Sequence, residues 1–234
     1  MNPFALSALA AIALSLPAFS QTLSWGTTGT QEDPEFGNEL VFANGAHGFS
    51  ATSWGYVGRR NNQSFQEGMG VIYSSGIGVT NSTERPFQVP EHQLDNAKGN
   101  DWVLIVFDAP VEDVDIKVNP YGTWDRDVTY YTANLSGQLD LAGLNYADLA
   151  ELGFSERTDD LSTRSSEERT LQINGEGGGS FNAILIGAME GNPGKRNNVD
   201  RFKISGIDAT FVVPEPSSAL LGLIGGLLLL KRRR

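Results

Sequence analysis

Short runs of alternating or β-branched residues recur along the chain between clusters of Gly, Asn and Asp. This is the pattern of strands joined by turns. Residues 23–26 predict a first strand, followed by 39–43, 49–57 and 65–73. Trp102-Val103-Leu104-Ile105-Val106-Phe107 is an unbroken run of strand formers, which predicts a strand covered on both faces. Val114, Ile116 and Val118 alternate with polar residues and face a core, and residues 127–132 place Val128, Tyr130 and Thr132 on one face. Residues 181–188 and 201–211 supply the last strands. Phe202, Ile204, Ile207 and Phe211 cannot share one alternation, which predicts a bulge at Gly206. One short helix is expected over 146–152, capped by Asn145 and ended by Gly153. Residues 155–180 are polar and read as an exposed loop with one short strand at 170–173.

These elements predict an all-β fold: nine or ten strands in one antiparallel two-sheet sandwich, jelly-roll-like, with one short helix. The 27 glycines are spread along the chain rather than gathered in a linker, which suits many tight turns. No blade-length repeat is visible, so a propeller is disfavoured. Residues 21–212 are expected to form a single domain.

The two ends read differently. Residues 4–16 form an apolar stretch, and Ala18-Phe19-Ser20 offers small residues for cleavage. Residues 1–20 therefore read as a secretory signal peptide, cut after Ser20, although the first four residues carry no Lys or Arg. At the other end, Val213, Pro214, Glu215 and Pro216 precede twelve apolar or Gly residues, 219–230, and the basic stop Lys231, Arg232, Arg233, Arg234. Twelve helical residues reach about 18 Å, against a hydrocarbon core of about 30 Å. The basic end fits a cytoplasmic C-terminus. The two prolines keep the preceding backbone extended and open to a protease or transpeptidase.

This tripartite tail, 213–234, resembles the PEP-CTERM sorting signal of Gram-negative bacteria. In that family an integral-membrane cysteine transpeptidase, the exosortase, cuts near the motif. A second stretch, roughly 68–131, is similar to exosortase-dependent surface proteins. It carries Gly76-Ile77-Gly78-Val79, then Glu91-His92-Gln93-Leu94-Asp95-Asn96, then Phe107-Asp108-Ala109-Pro110-Val111. The resemblance implies export across the inner membrane, transient anchoring by the C-terminal helix, and release to the cell surface or extracellular matrix. Signal peptidase and exosortase are the implied processing partners, and a surface β-domain is the implied body. The alternative for the tail is an ordinary single-span anchor.

Charge narrows the function further. The whole chain has a formal net charge of −11, and four of its 17 Lys and Arg are the last four residues. The stretch between the two signals is therefore more acidic still. Nucleic-acid binding needs clustered Lys and Arg, and only the doublets Arg59-Arg60 and Lys195-Arg196 occur there. There are no cysteines and only two histidines, His47 and His92. This excludes thiol catalysis, Cys-based metal sites and a His-rich metal site. Neither a G-x-S-x-G elbow nor H-E-x-x-H occurs, and Ser74-Ser75-Gly76 reads as a turn. No catalytic residue is assigned.

Two loops carry candidate chemistry. Asp95 and Asn96 with Asp101 offer carboxylate and amide oxygens within seven residues, a candidate Ca²⁺ site. The alternative is a polar turn built by Asx geometry. Trp124, Asp125 and Arg126, with Asp127, lie between two predicted strands and read as a candidate ligand-binding loop for a sugar ring. There the alternative is a Trp folded over the core edge, and Tyr121, Tyr130 and Tyr131 share that ambiguity. His92 reads as a half-buried turn or strand residue. No organic cofactor is expected, and Ca²⁺ is the one candidate ion.

The leading expectation is thus a non-enzymatic, exosortase-processed surface or extracellular-matrix protein with a structural or adhesive role. The alternatives are an extracellular carbohydrate-binding module, calcium-dependent, with polysaccharide as partner, and a secreted jelly-roll hydrolase or lyase.

Overall fold

The computed structural model describes residues 20–29, 36–59, 62–85, 92–120, 122–189 and 199–212. The expected signal peptide up to residue 19, Arg60, Glu91, Tyr121, Lys195-Arg196, the expected sorting motif Val213–Pro216 and the basic residues Lys231–Arg234 lie outside the described residues. Gln21–Val212 forms one compact unit.

That unit is nearly all β and antiparallel. Its strands are β1 (Ser20–Gly26), β2 (Phe36–Gly37), β3 (Glu39–Asn44), β4 (His47–Arg59), β5 (Asn62–Glu67), β6 (Met69–Tyr73) and β7 (Gly76–Thr80). There follow β8 (Leu94–Asp95), β9 (Asn100–Pro120), β10 (Val128–Ala133), β11 (Thr158–Asp160), β12 (Arg169–Asn174), β13 (Phe181–Ala188) and β14 (Arg201–Val212). They join one hydrogen-bonded network rather than two separately bonded sheets.

β9 organises that network. Its first half pairs with β4, from Asn100 to Phe107, and with β13. Its second half pairs with β12 and β14. The partners change around Asp108-Ala109-Pro110, where Pro110 has no N–H to give to a ladder. The two predicted strands at 102–107 and 114–118 are therefore one strand that serves both halves of the sheet.

Alternation sets what each face meets. Val103, Ile105 and Phe107 share the main core cluster with Val114, Ile116 and Val118 from the other half of β9. The opposite face of the first half, Trp102, Leu104 and Val106, lies in a second cluster with Trp54, Phe65 and Leu185. Leu141, Leu149 and Phe154, from the segment after β10, complete that cluster. The continuous apolar run is thus buried on both faces, as its sequence predicts.

Several local readings shift. The predicted strand at 65–73 breaks at Gly68 into β5 and β6, where the Gly68 N–H donates to the Ser53 carbonyl. The predicted helix is a single 3₁₀ turn, Tyr146–Asp148, in which Asn145 and Asp148 form a reciprocal capping box. Residues 149–153 continue as turns to Gly153 at φ 88°. The loop at 155–180 contains β11 as well as the expected β12. The bulge falls where Gly206 predicts it: Ile204 pairs with Val118 and Gly206 with Lys117, leaving Ser205 as the extra residue.

β1 lies along β14. Thr27 N–H donates to the Ser205 carbonyl at 3.3 Å, and the Thr22 and Thr210 hydroxyls are 2.9 Å apart. The start of β1 is therefore beside the end of β14. The start of β14 lies at the opposite end, against β8 and the end of β9.

Candidate functional site

Two groups of carboxylates gather where β14 begins. In the first, Glu84, Asp95 and Asp101 place oxygens within 4.8 Å of one another, and all three residues are buried. Each comes from a different piece of chain. Asp101 is the second residue of β9, set opposite Gly55 of β4. Asp95 ends β8, which is held to β14 by pairing with Arg201. Glu84 closes the turn after β7, with its N–H donating to the Asn81 carbonyl at 3.1 Å.

Hydrogen bonds fix the three side chains. The Asp101 carboxylate accepts from Asn81 Nδ2 at 2.8 Å and from the Asp95 N–H at 3.2 Å. Asp95 Oδ1 accepts from the Ala97 N–H at 2.8 Å, an Asx turn, and its Oδ2 is 3.4 Å from Arg201 Nε. Glu84 Oε2 accepts from the Asn81 N–H at 3.2 Å. Burial, and then the charges of Glu84 and Asp95, push the Asp101 carboxyl well above its ordinary range.

The second group is Asp125, Asp127 and Asp200, again with oxygens within 4.8 Å. Asp200 is buried and the other two are half-buried. Asp200 Oδ1 accepts from the Asp127 N–H at 3.2 Å, and Oδ2 accepts from Asn96 Nδ2 at 2.7 Å. Burial first, and then the neighbouring Asp127 charge, raise the Asp200 pKa to about 7. Asp127 is also raised by burial, although the Ser162 N–H donates to its Oδ1 at 2.5 Å.

The structure brings Asp95 and Asp101 together, as the candidate Ca²⁺ loop requires, and adds Glu84. Asn96 faces the other way. Its Oδ1 accepts from the Asp200 N–H at 3.0 Å, and its Nδ2 bonds Asp200 and the Met189 carbonyl. Asn96 and Arg201 thus connect the two carboxylate groups.

The second candidate loop is divided as well. The Arg201 guanidinium lies over the Trp124 indole, 4.4 Å from the ring centroid. Asp125 joins the second carboxylate group. Arg126 is buried and committed to backbone: its Nη1 donates to the Glu167 carbonyl at 2.6 Å and its Nη2 to the Thr163 carbonyl at 3.0 Å. It pins the loop before β12 rather than presenting a donor to a ligand. Tyr131 is buried in the second core cluster, and Tyr130 is half-buried.

His92 is buried, with its ring 4.6 Å from that of Tyr73. His47 sits at the other end of β14, stacked on Phe211 and 3.2 Å from Asp108. A surface groove of about 520 Å³, lined by Val41, Phe42 and Leu135 among others, lies on that side. Its only carboxylate is Asp108, so the oxygen-rich chemistry stays with the two clusters.

Sequence reasoning missed Glu84 and Asp200. Asp200 is 104 residues from its partner Asn96, and only the β8–β14 pairing brings them together. Glu84 carries a local signal: it lies three residues after Asn81, in an Asn-x-x-Glu turn. Both groups offer hard oxygen donors of the kind that hold a divalent cation. Compared with known protein families, curated proteins and solved structures, the chain matches none.

Proposed function

We propose that this chain is an exported surface or extracellular-matrix protein, processed by an exosortase, whose β-domain has a structural or adhesive role. The observation that carries the reading is the tail itself: Val213-Pro214-Glu215-Pro216, a short apolar run and four basic residues, in that order. The motif follows β14 directly, since that strand ends at Val212. β14 is bonded along most of its length to β9, so the tail extends from one of the best-held strands of the domain. Among the described residues no helix is long and apolar enough to cross a membrane, and the tail is the segment assigned that task. Intact mass of the protein from the surface fraction of its native host is the test. A mass ending near Pro216 supports the reading. A mass that retains 220–234 replaces it with a plain membrane anchor.

A second reading is an extracellular carbohydrate-binding module that depends on Ca²⁺. It is favoured by Trp124, half-buried beside Asp125, at the end of the sheet where the carboxylates gather. Saturable binding to host polysaccharide, lost in Trp124→Ala and on chelation, separates this reading from the first.

A further inference from the structure

We propose that Glu84, Asp95 and Asp101, together with Gln93, form a Ca²⁺ site that fastens β8 and the turn after β7 to the start of β9. The proposal stands independently of export and sorting.

Gln93 is the observation that turns a carboxylate cluster into a site. Its side chain is completely buried, and neither Oε1 nor Nε2 has a hydrogen-bond partner. A buried amide left in that condition costs about 1–3 kcal/mol, so native proteins seldom keep one without a bound water or ion. Gln93 sits at the bend that leads into β8, two residues before Asp95, and Leu94 between them packs in the main core cluster.

The chemistry of the four groups selects the ligand. All present oxygen, the donor of hard cations. Oxygens bound to one Ca²⁺ at about 2.3–2.6 Å lie no more than about 5 Å apart, and the three carboxylates meet that limit at 4.8 Å. Like charges held this close inside a protein repel, and a divalent cation between them reverses the sign of the interaction. The enclosure favours Ca²⁺ over Mg²⁺, which keeps several of its own waters. Glu84 and Asp101 are nearly encased, at 9% and 0% exposure.

The ion would join segments that the sheet holds weakly. β8 is two residues long and pairs with β14 only at Leu94 and Asp95. Asn81 already spans the gap, bonding Asp101 through its side chain and Glu84 through its backbone. Asn96, immediately after β8, continues the connection to Asp200.

The test uses the full chain in mild detergent, stripped with EGTA and titrated with CaCl₂ by calorimetry. MgCl₂ is the control, and Tb³⁺ luminescence excited through tryptophan reports position, because Trp102 adjoins Asp101. One Ca²⁺ per chain is expected, with a Kd on the order of 10⁻⁴ M, as in extracellular modules. Glu84→Gln and Gln93→Ala should each weaken binding at least about tenfold, and Asp127→Asn should leave it unchanged. Gln93→Ala removes an amide without adding a charge, so it keeps the test open if an acidic variant fails to fold. No binding at 10 mM CaCl₂ overturns the proposal. Binding lost in Asp127→Asn but kept in Glu84→Gln also overturns it, and assigns the ion to the second carboxylate group.

Discussion

Arg201 rests its guanidinium over the Trp124 ring at 4.4 Å while its Nε reaches to 3.4 Å from Asp95. One side chain thus couples the loop before β10 to β8. Arg201→Gln removes both contacts and leaves the buried Asp95 carboxylate without that guanidinium. The expected loss is about 2 kcal/mol, combining a cation–π contact with a largely buried ion pair. The variant should also bind Ca²⁺ more tightly than the parent, because a fixed positive charge beside the site is gone. Denaturant unfolding with and without CaCl₂ measures both effects. An unchanged midpoint in Arg201→Gln would mean that the stack and the ion pair contribute nothing.

Asp200 makes stability depend on pH in an unusual direction. Its folded pKa, about 7, is above that of an unfolded aspartate near 3.8. Between those values the folded state binds more protons than the unfolded state, so stability falls as pH rises. This contribution is lost between about pH 4 and pH 7, and above pH 7 Asp200 opposes folding as an ionised, buried group. Asp200→Asn should flatten that part of the profile. Urea midpoints at half-unit steps from pH 4 to pH 8 provide the comparison, and identical slopes in parent and variant would refute the assignment.

Lys203 is expected to act at higher pH. It is buried, with its Nζ 4.1 Å from the Tyr73 ring centroid and donating to Ser75 Oγ at 3.1 Å. Burial lowers its pKa to about 8. From there to about 10.5 the unfolded state binds more protons, so stability rises with pH through that window. Lys203→Met keeps the length and removes the buried charge. It should stabilise the fold by about 1 kcal/mol at pH 7 and abolish the rise above pH 8. A variant less stable than the parent at pH 7 would show that the stack on Tyr73 outweighs the desolvation.

The segment after β10 is a second core wall rather than a surface loop. Leu149 is 1% exposed within the cluster formed by Trp54, Trp102 and Leu185. Leu149→Ala should cost about 2–4 kcal/mol and shift tryptophan emission to the red as water reaches that face. A change below 0.5 kcal/mol, of the size surface substitutions give, would mean that the segment does not cover the sheet.

Gly78 holds β7 close to the chain just before β8. A Cβ there would collide with the His92 carbonyl oxygen, which is backbone and cannot rotate away. Gly78→Ala must displace residues 92–95, and Gln93 and Asp95 with them. Lower stability together with weaker Ca²⁺ binding is expected. Loss of stability with unchanged affinity would separate the strand contact from the site.

The fold was legible where packing is decided by neighbours in sequence. Residues 181–188 read as the strand they form, and Gly206 read as a bulge because no single alternation accommodates Phe202, Ile204, Ile207 and Phe211. The length of β9 was not legible, because Asp108-Ala109-Pro110 looks like a turn. There the strand continues while its partners change. β7 was also hidden, since Gly76-Ile77-Gly78-Val79 lacks side chains at alternate positions and only the close approach of neighbouring chain explains why. The site was half legible. Asp95 and Asp101 are six residues apart, and their shared loop suggested shared chemistry. Asp200 meets Asn96 across 104 residues of chain, and Asn96 turns toward it rather than toward Asp101, so local spacing assigned Asn96 to the wrong partner.

The antiparallel run of β1 along β14 decides how the domain answers force. Pulling on Gln21 and Val212 together would open that pair like a zip, breaking one hydrogen bond at a time at low load. Pulling Val212 against the carboxylate end of the sheet instead draws β14 along its own axis, over roughly 35 Å. Its bonds to β9 then lie across the load and must give way together. A domain held by its last strand and gripped at its far end is therefore strongest along the direction in which a tether would pull it.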